Sequence, residues 1–307
     1  MNNRDNTIAV IGCGLIGQSW SALFLSYGYD VKAWDPAPNW ALNFQPAVEK
    51  AREQVRLLRP EPKTEGRIVI AESLEEAVAD AFWIQENAPE SVPLKADLYS
   101  RIEAAADPEA VIASSTSSLT WSELSLSLSH PNRFITAHPF NPPHLMPLVE
   151  IYAPEPSLRT RAAAFYDGLQ RKSVVLSQDA VGHIANRLAS ALWREAVNIV
   201  DQGIADVAAV DAALVHGPGL RWSVVGAHMA YHLGGGAGGI EHYLKHLGPS
   251  QERRWSSLGN PKLTPDLCRR IIDGVTEEAA GRSIPELEAA RDANLIRILA
   301  NRGEEAP

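Results

Sequence analysis

The chain has 307 residues, 45% hydrophobic and 21% charged, with a net charge of −9; this suits one large or two ordinary domains with packed cores and excludes a disordered chain. The acidic balance offers no basic footprint for nucleic acid or an anionic membrane surface. Two cysteines, Cys13 and Cys268, are too few for a disulfide framework and have no metal-ligand spacing, so no metal is expected. The N-terminal stretch MNNRDNTIAVIG lacks the order of an export signal, and no apolar run approaches eighteen residues, so the expectation is a soluble, cytoplasmic protein. In chain order, TIAVIG (7–12) reads as a strand, LIGQSWSALFLSYG (15–28) as a helix and YDVKAWD (29–35) as a strand. A helix over 45–58 precedes the strands RIVIA (67–71) and AFWIQE (81–86), and a helix over 92–105 precedes AVIASSTS (110–117), RFITAHPF (133–140) and PLVEIYA (147–153). A helix over 159–171, the strand SVVLS (173–177) and the helical run IANRLASALWREAVNIVDQG (184–203) follow, and everything beyond looks helical. This alternation predicts an α/β chain: a Rossmann-type doubly wound, mostly parallel sheet over 1–180, then an all-α C-terminal domain over 181–307.

The first chemical signal is GCGLIG, in which Gly12, Gly14 and Gly17 form GxGxxG between a predicted strand and a predicted helix. Glycines there allow a tight turn and close approach to a pyrophosphate, and the helix start at Leu15 and Ile16 supplies unpaired N–H groups. Asp35, eighteen residues past Gly17 at the end of the next strand, is placed for ribose hydroxyls and would repel a 2′-phosphate. NAD is therefore favoured over NADP. The alternative is a glycine-rich turn that holds no ligand.

The second signal is HPFNPP (138–143), a histidine among three prolines. It reads either as a rigid turn with a hydrogen-bonded histidine or as a turn that aims His138 for chemistry. Together with IAVIGCGLIG, ENAPE, SSTSSLT, HPFNPPHLMPLVE and GHIANRL, it makes the chain resemble the 3-hydroxyacyl-CoA dehydrogenase family. Position by position, the resemblance implies a catalytic His138, its partner Glu150, a substrate-contacting Ser117 and Asn186, with Glu86 of ENAPE near the nicotinamide and its ribose. Such a set oxidises a secondary alcohol: hydride leaves for the cofactor while histidine, with an ordinary pKa of about 6.5, accepts the hydroxyl proton. Taken alone, Asn186 could be a helix cap, Ser117 a turn serine and Glu86 a solvated charge.

Within the family the chain is most similar to the carnitine dehydrogenases and to the lambda-crystallin and gulonate 3-dehydrogenase branch, through AWDPAP, SSTSSL, HPFNP, ALWREA, GLRWS and GRSIPELE. His183 stands where the family has an aromatic residue. A carboxylate-bearing substrate wants a guanidinium fork, for which Arg221 is the candidate. A quaternary ammonium wants aromatic faces, for which Trp222, Phe140 and Tyr231 are candidates; Trp193, on an apolar helical face, reads as core packing. Arg221 and Trp222 could equally be an interface or a structural pair. Lys50, Arg52, Arg56 and Arg59 keep a CoA-binding reading open, against a solvated helix face. The glycine cluster 234–239 reads as a flexible helix connection. The expected function is NAD-dependent oxidation of the 3-hydroxyl of a small β-hydroxy acid, with L-carnitine first, L-gulonate or a 3-hydroxyacyl-CoA as alternatives, and a crystallin-like NAD-binding protein without turnover as the non-enzyme reading. The resemblance and the long apolar helices imply a homodimer.

Overall fold

A computed structural model describes residues 6–59 and 66–302. By internal contacts the chain divides into two compact units, Met1–Arg187 and Leu188–Pro307. The first unit opens with β1 (Thr7–Ile11), α1 (Leu15–Ser26), β2 (Asp30–Trp34), α2 (Ala41–Leu58), β3 (Ile68–Ile70), α3 (Leu74–Val78) and β4 (Trp83–Glu86). It continues with α4 (Val92–Ala105), β5 (Val111–Ser114), α5 (Trp121–Ser125), β6 (Phe134–Pro139), β7 (Leu148–Tyr152), α6 (Pro156–Gly168) and β8 (Lys172–Val175). The strands form one sheet in the order β3-β2-β1-β4-β5-β6-β7-β8. All neighbours run parallel except β6 and β7.

The apolar runs explain this arrangement. Every residue of β1, β4 and β5 is buried, as strands covered by helices on both faces must be. Alternation then divides the core: Ile8 and Val10 join Trp20, Phe24, Trp83 and Tyr166 in one layer, while Ala9 and Ile11 join Leu74, Tyr99, Ile102 and Phe134 in the other. The five-residue helices α3 and α5 were not read from the sequence, being too short for apolar periodicity; Ser73 caps one, and a Thr120/Glu123 capping box starts the other. At the β1–α1 junction Gly12 has φ of +86°, and a Cβ on Gly17 would lie 2.0 Å from the Gly12 carbonyl oxygen. The strand can turn into the helix there only with glycine at both positions.

Helix α7 (Ala185–Asp201) starts in the first unit, and the second unit adds α8 (Val207–His216), α9 (Pro218–Trp222), α10 (Ala227–Gly234), α11 (Gly239–Ser257), α12 (Pro265–Ala279) and α13 (Ile284–Asn301). Its buried apolar cluster is small: Val197, Val200, Val207 and Leu267. Trp193 is 56% exposed, so it is not the core residue its helical spacing suggested, although Val197 and Val200, farther along the same face of α7, are buried. Leu244, Trp255, Ile272 and Val275 are more than half exposed as well. The glycine cluster is a close-packed corner in which His232 Nδ1 accepts the Ile240 N–H at 3.1 Å. A Cβ on Gly239 would meet that imidazole at 2.6 Å, so glycine serves packing there. No described helix is long and apolar enough to cross a membrane.

Candidate active site

The C-terminal ends of four strands meet at one cleft of about 410 Å³. Ile16 reaches it from beyond β1, Asn87 to Glu90 from beyond β4, Ser115 to Ser117 from beyond β5, His138 to Asn141 from the end of β6, and Asn186 from α7. Strand order reverses between β1 and β4, and a crevice outside the carboxyl ends of strands at such a point is where open α/β sheets bind ligands.

His138 and Glu150 are brought together by register. They are Cα partners in the antiparallel β6–β7 pair, so their side chains leave the same face as neighbours. The imidazole Nδ1–H donates to Glu150 Oε2 at 2.9 Å, and both groups are almost completely buried. The other carboxylate oxygen accepts N–H groups from Ile184 at 2.8 Å and Ala185 at 2.9 Å, at the start of α7. Gly182 and His183 both have positive φ, 74° and 49°, and this left-handed pair turns the chain toward Glu150. Burial alone would raise the Glu150 pKa, but the hydrogen bonds from His138 and the two backbone N–H groups outweigh it and hold the carboxyl below its usual range. With Nδ1 protonated, His138 Nε2 carries the lone pair; Asn186 Nδ2 lies 3.4 Å from it and 3.3 Å from the Ser117 carbonyl.

Glu86 does not join this group. It is 0% exposed, paired with Lys95 Nζ at 2.5 Å, and it accepts from Tyr99 Oη at 2.7 Å, Ser114 Oγ at 2.6 Å and the Ala88 N–H at 2.6 Å. Its carboxylate is spent inside the helix layer, so the expectation that it meets the cofactor is corrected. The acid at the cleft is Glu90, which sequence reasoning missed. It accepts from the Ser117 N–H at 2.5 Å, Ser117 Oγ at 2.9 Å and Thr116 Oγ1 at 2.8 Å. Desolvation opposes its charge, yet these donors prevail and keep its pKa low. One signal was available: Lys95 shares the buried side of α4 with Leu98, Tyr99 and Ile102, and a lysine on an apolar face requires a buried anion nearby.

Two further contacts fasten the HPFNPP turn. Arg171 Nη1 donates to the Pro143 carbonyl at 3.0 Å. His144 joins it to α1: its N–H donates to Ser19 Oγ at 2.8 Å, and its ring contacts Ser19 Oγ at 2.7 Å and Gln54 Oε1 at 2.6 Å. Phe140 lines the cleft, edge-on to His138 at 6.3 Å between ring centroids. Arg221 and Trp222 lie on α9 of the second unit, exposed on it, and Tyr231 packs on Tyr243 within that unit at 5.0 Å. Of the basic residues on and after α2, Arg52 and Arg56 pair with Glu49 and Arg59 lies over the Tyr27 ring.

The glycine loop fits a dinucleotide. A Cβ on Gly14 would meet nothing within 4 Å, so the backbone there faces open space. Helix α1 has no side-chain cap and no acid in its first turn, which leaves its N–H groups for an anion. Asp35 is steadied by the N–H groups of Cys13 and Ala37, each at 2.8 Å; a carboxylate has about four acceptor positions, so capacity for ribose hydroxyls remains.

The fold and this loop define a nucleotide-dependent dehydrogenase. Residues 7–180 match the NAD-binding domain of 3-hydroxyacyl-CoA dehydrogenase and residues 182–268 match its C-terminal domain, so the chain belongs to the 3-hydroxyacyl-CoA dehydrogenase family of NAD-dependent oxidoreductases. Among its relatives, L-carnitine dehydrogenase of Streptomyces coelicolor is 42% identical over 100% of this chain and 98% of the relative. L-Carnitine dehydrogenase of Pseudomonas aeruginosa is 41% identical over 95% of this chain and 92% of the relative. The crystal structure of FHMPC 5-dehydrogenase, described as an NAD+-dependent dismutase, superposes with a TM-score of 0.82 at 25% identity, covering 97% of this chain and 99% of the other.

Replacing Glu86 with Gln leaves the Lys95 ammonium buried without its counter-charge. The expected outcome is a loss of about 3–5 kcal/mol in denaturant unfolding. A change within ~0.5 kcal/mol, the range of surface substitutions, would return Glu86 to the list of cofactor candidates.

Proposed function

We propose that this enzyme oxidises the 3-hydroxyl of L-carnitine, or a close small β-hydroxy acid, with NAD as acceptor. The observation that carries the reaction class is the His138 imidazole with Nδ1 tied to Glu150 and Nε2 left toward the cleft. His138 Nε2 takes the hydroxyl proton, and Glu150, fixed on both oxygens, stabilises the resulting imidazolium. Ser117, by turning its hydroxyl from Glu90, and Asn186, by turning its amide from the Ser117 carbonyl and His138, donate at the reacting oxygen as charge develops. Bound nicotinamide would supply the hydride acceptor, held by the Gly12–Gly17 loop, the N–H groups at Leu15 and Ile16, and Asp35.

The substrate choice is supported by the names of relatives aligned along nearly the whole chain. Carnitine has a carboxylate for Arg221 and a quaternary ammonium for aromatic faces, with Phe140 at the cleft and Trp222 and Tyr231 in the second unit. A CoA thioester is less favoured because three of the four basic residues considered for it are engaged by this chain's own side chains. In this reading residues 1–180 hold NAD and residues 181–307 bind substrate and form a cytoplasmic homodimer. The thin core and exposed apolar side chains of the second unit support a second copy as their cover.

NAD reduction with L-carnitine, L-gulonate, 3-hydroxybutyrate and 3-hydroxybutyryl-CoA should be fastest with L-carnitine. Turnover confined to the thioester would sink the substrate reading. His138→Ala should abolish turnover while NAD affinity stays within about threefold, since truncation removes the base and not the cofactor loop; near-normal turnover would refute the base. Arg221→Met should raise KM for L-carnitine about a hundredfold with little change in NAD affinity, and equal effects on both ligands would remove the carboxylate role. Light scattering should give twice the chain mass in solution, whereas a monomer at micromolar concentration would contradict the homodimer.

A further inference from the structure

The chemistry above leaves His183 without a role, although it touches both arms of the site. It is 1% exposed and in the left-handed region, where a non-glycine residue is strained. Its ring lies over His138 with centroids 4.9 Å apart and planes 18° from parallel. Its Nε2 is 3.2 Å from the Thr116 carbonyl; a carbonyl only accepts, so the proton is on Nε2. The other nitrogen, Nδ1, is buried with no hydrogen-bond partner. Such an orphaned acceptor is destabilising, and a strained backbone beside it calls for a compensating use.

Burial, then the nearness of His138, hold the His183 pKa below the usual range, while the hydrogen bond to the Thr116 carbonyl, Glu150 and Asp179 pull the other way. The charged or titratable groups around it are thus His138 and Glu150 on the sheet and Asp179 in the connection that precedes it. With Nε2–H on the Thr116 carbonyl and no acceptor beside the buried Nδ1, the surroundings suit the neutral ring.

We propose that His183 is a positioning residue: its neutral ring fixes the plane of His138 by stacking, and its Nε2–H fixes the Thr116–Ser117 backbone. The two contacts set base nitrogen and serine hydroxyl toward one alcohol oxygen. This inference rests on His138 being the base. Without His183, the His138 ring keeps its Nδ1 bond to Glu150 and the longer contact from Asn186 to Nε2, and nothing stacked on its face holds its plane. Thr116 and Ser117 would still hold Glu90 through their own side chains, but with one fewer tie between that loop and the base. A phenylalanine keeps the stack and loses the hydrogen bond; a glutamine can keep the hydrogen bond and loses the stack.

The test compares wild type, His183→Phe, His183→Gln and His138→Ala, using whichever of the four alcohols named above the wild type oxidises fastest, from about pH 6 to about pH 10 around the histidine range. Both His183 variants should lose about tenfold or more in kcat, the scale of a small misplacement of reacting groups, with KM and NAD affinity changed less than about threefold. Wild-type kcat and pH profile in both variants would overturn the proposal, and an inactive His138→Ala in the same experiment would leave the base reading standing. Turnover by His138→Ala would instead overturn the base reading itself. Should the His183 variants fail to bind NAD, nitrogen-15 histidine spectra of the wild type decide: an Nε2–H imidazole at His183, with a ring-current shift on its neighbour, is expected. An Nδ1–H form at His183 would overturn the proposal.

Discussion

The antiparallel pairing of β6 with β7 is the constraint on which the site depends. A doubly wound sheet built wholly from parallel pairs would place Glu150 on a different side of a crossover from His138. Reversal of β7, which β8 then follows, makes them cross-strand partners, so the distance between imidazole and carboxylate is set by ladder geometry and not by flexible chain. The start of α7 then takes the second carboxylate oxygen. With both oxygens committed, Glu150 cannot rotate away, and its charge is in place before any proton moves.

Three glutamates of similar prominence in the sequence have three separate fates, and their partners explain the division. Glu86 closes a buried β4 and meets a lysine, a tyrosine and a serine, so it stabilises the layer between the sheet and α4. Glu90 lies beyond the strand and gathers the N–H and hydroxyl of Ser117 with the hydroxyl of Thr116. Glu150 is aligned by a strand partner and a helix start. Donors without net charge hold Glu90, and a histidine with two backbone amides holds Glu150, so both stay ionised against the cost of desolvation.

Much of this was legible in the sequence because its signals are local or strongly periodic. Eight short apolar runs gave eight strands; the central β1, β4 and β5 are buried throughout, and even the partly exposed β2, β3 and β8 keep enough β-branched residues to be read. Gly12 and Gly17 were legible because no other residue permits that turn. Spacing alone could not separate Glu86 from Glu90, because the end of β4 decides which acid leaves the sheet and which stays under it. Trp193 was misread for the opposite reason: helical periodicity identifies an apolar face without identifying what covers it. His183 was noticed only as an unusual residue type; its stack on His138 joins positions far apart along the chain and leaves no mark on local pattern.

The source of precision at the site also differs from the sequence expectation. Three prolines in HPFNPP suggested a turn stiff enough to aim the histidine by itself. Proline restricts φ in its own residue, but it does not fix where the turn sits relative to the loops after β1, β4 and β5. Cross-links supply the rest: His144 ties the end of the turn to Ser19 and Gln54, Arg171 holds the Pro143 carbonyl, and Glu90 and His183 bind the loops after β4 and β5 and the approach to α7 to one another through Thr116 and Ser117. Each joins segments that leave different strands or helices. A catalytic geometry needs tolerances of about half an ångström, and separate loops meet such a tolerance when they are bonded to one another as well as to the sheet. The prolines reduce the number of conformers each bond must select against, while the bonds choose the one that remains.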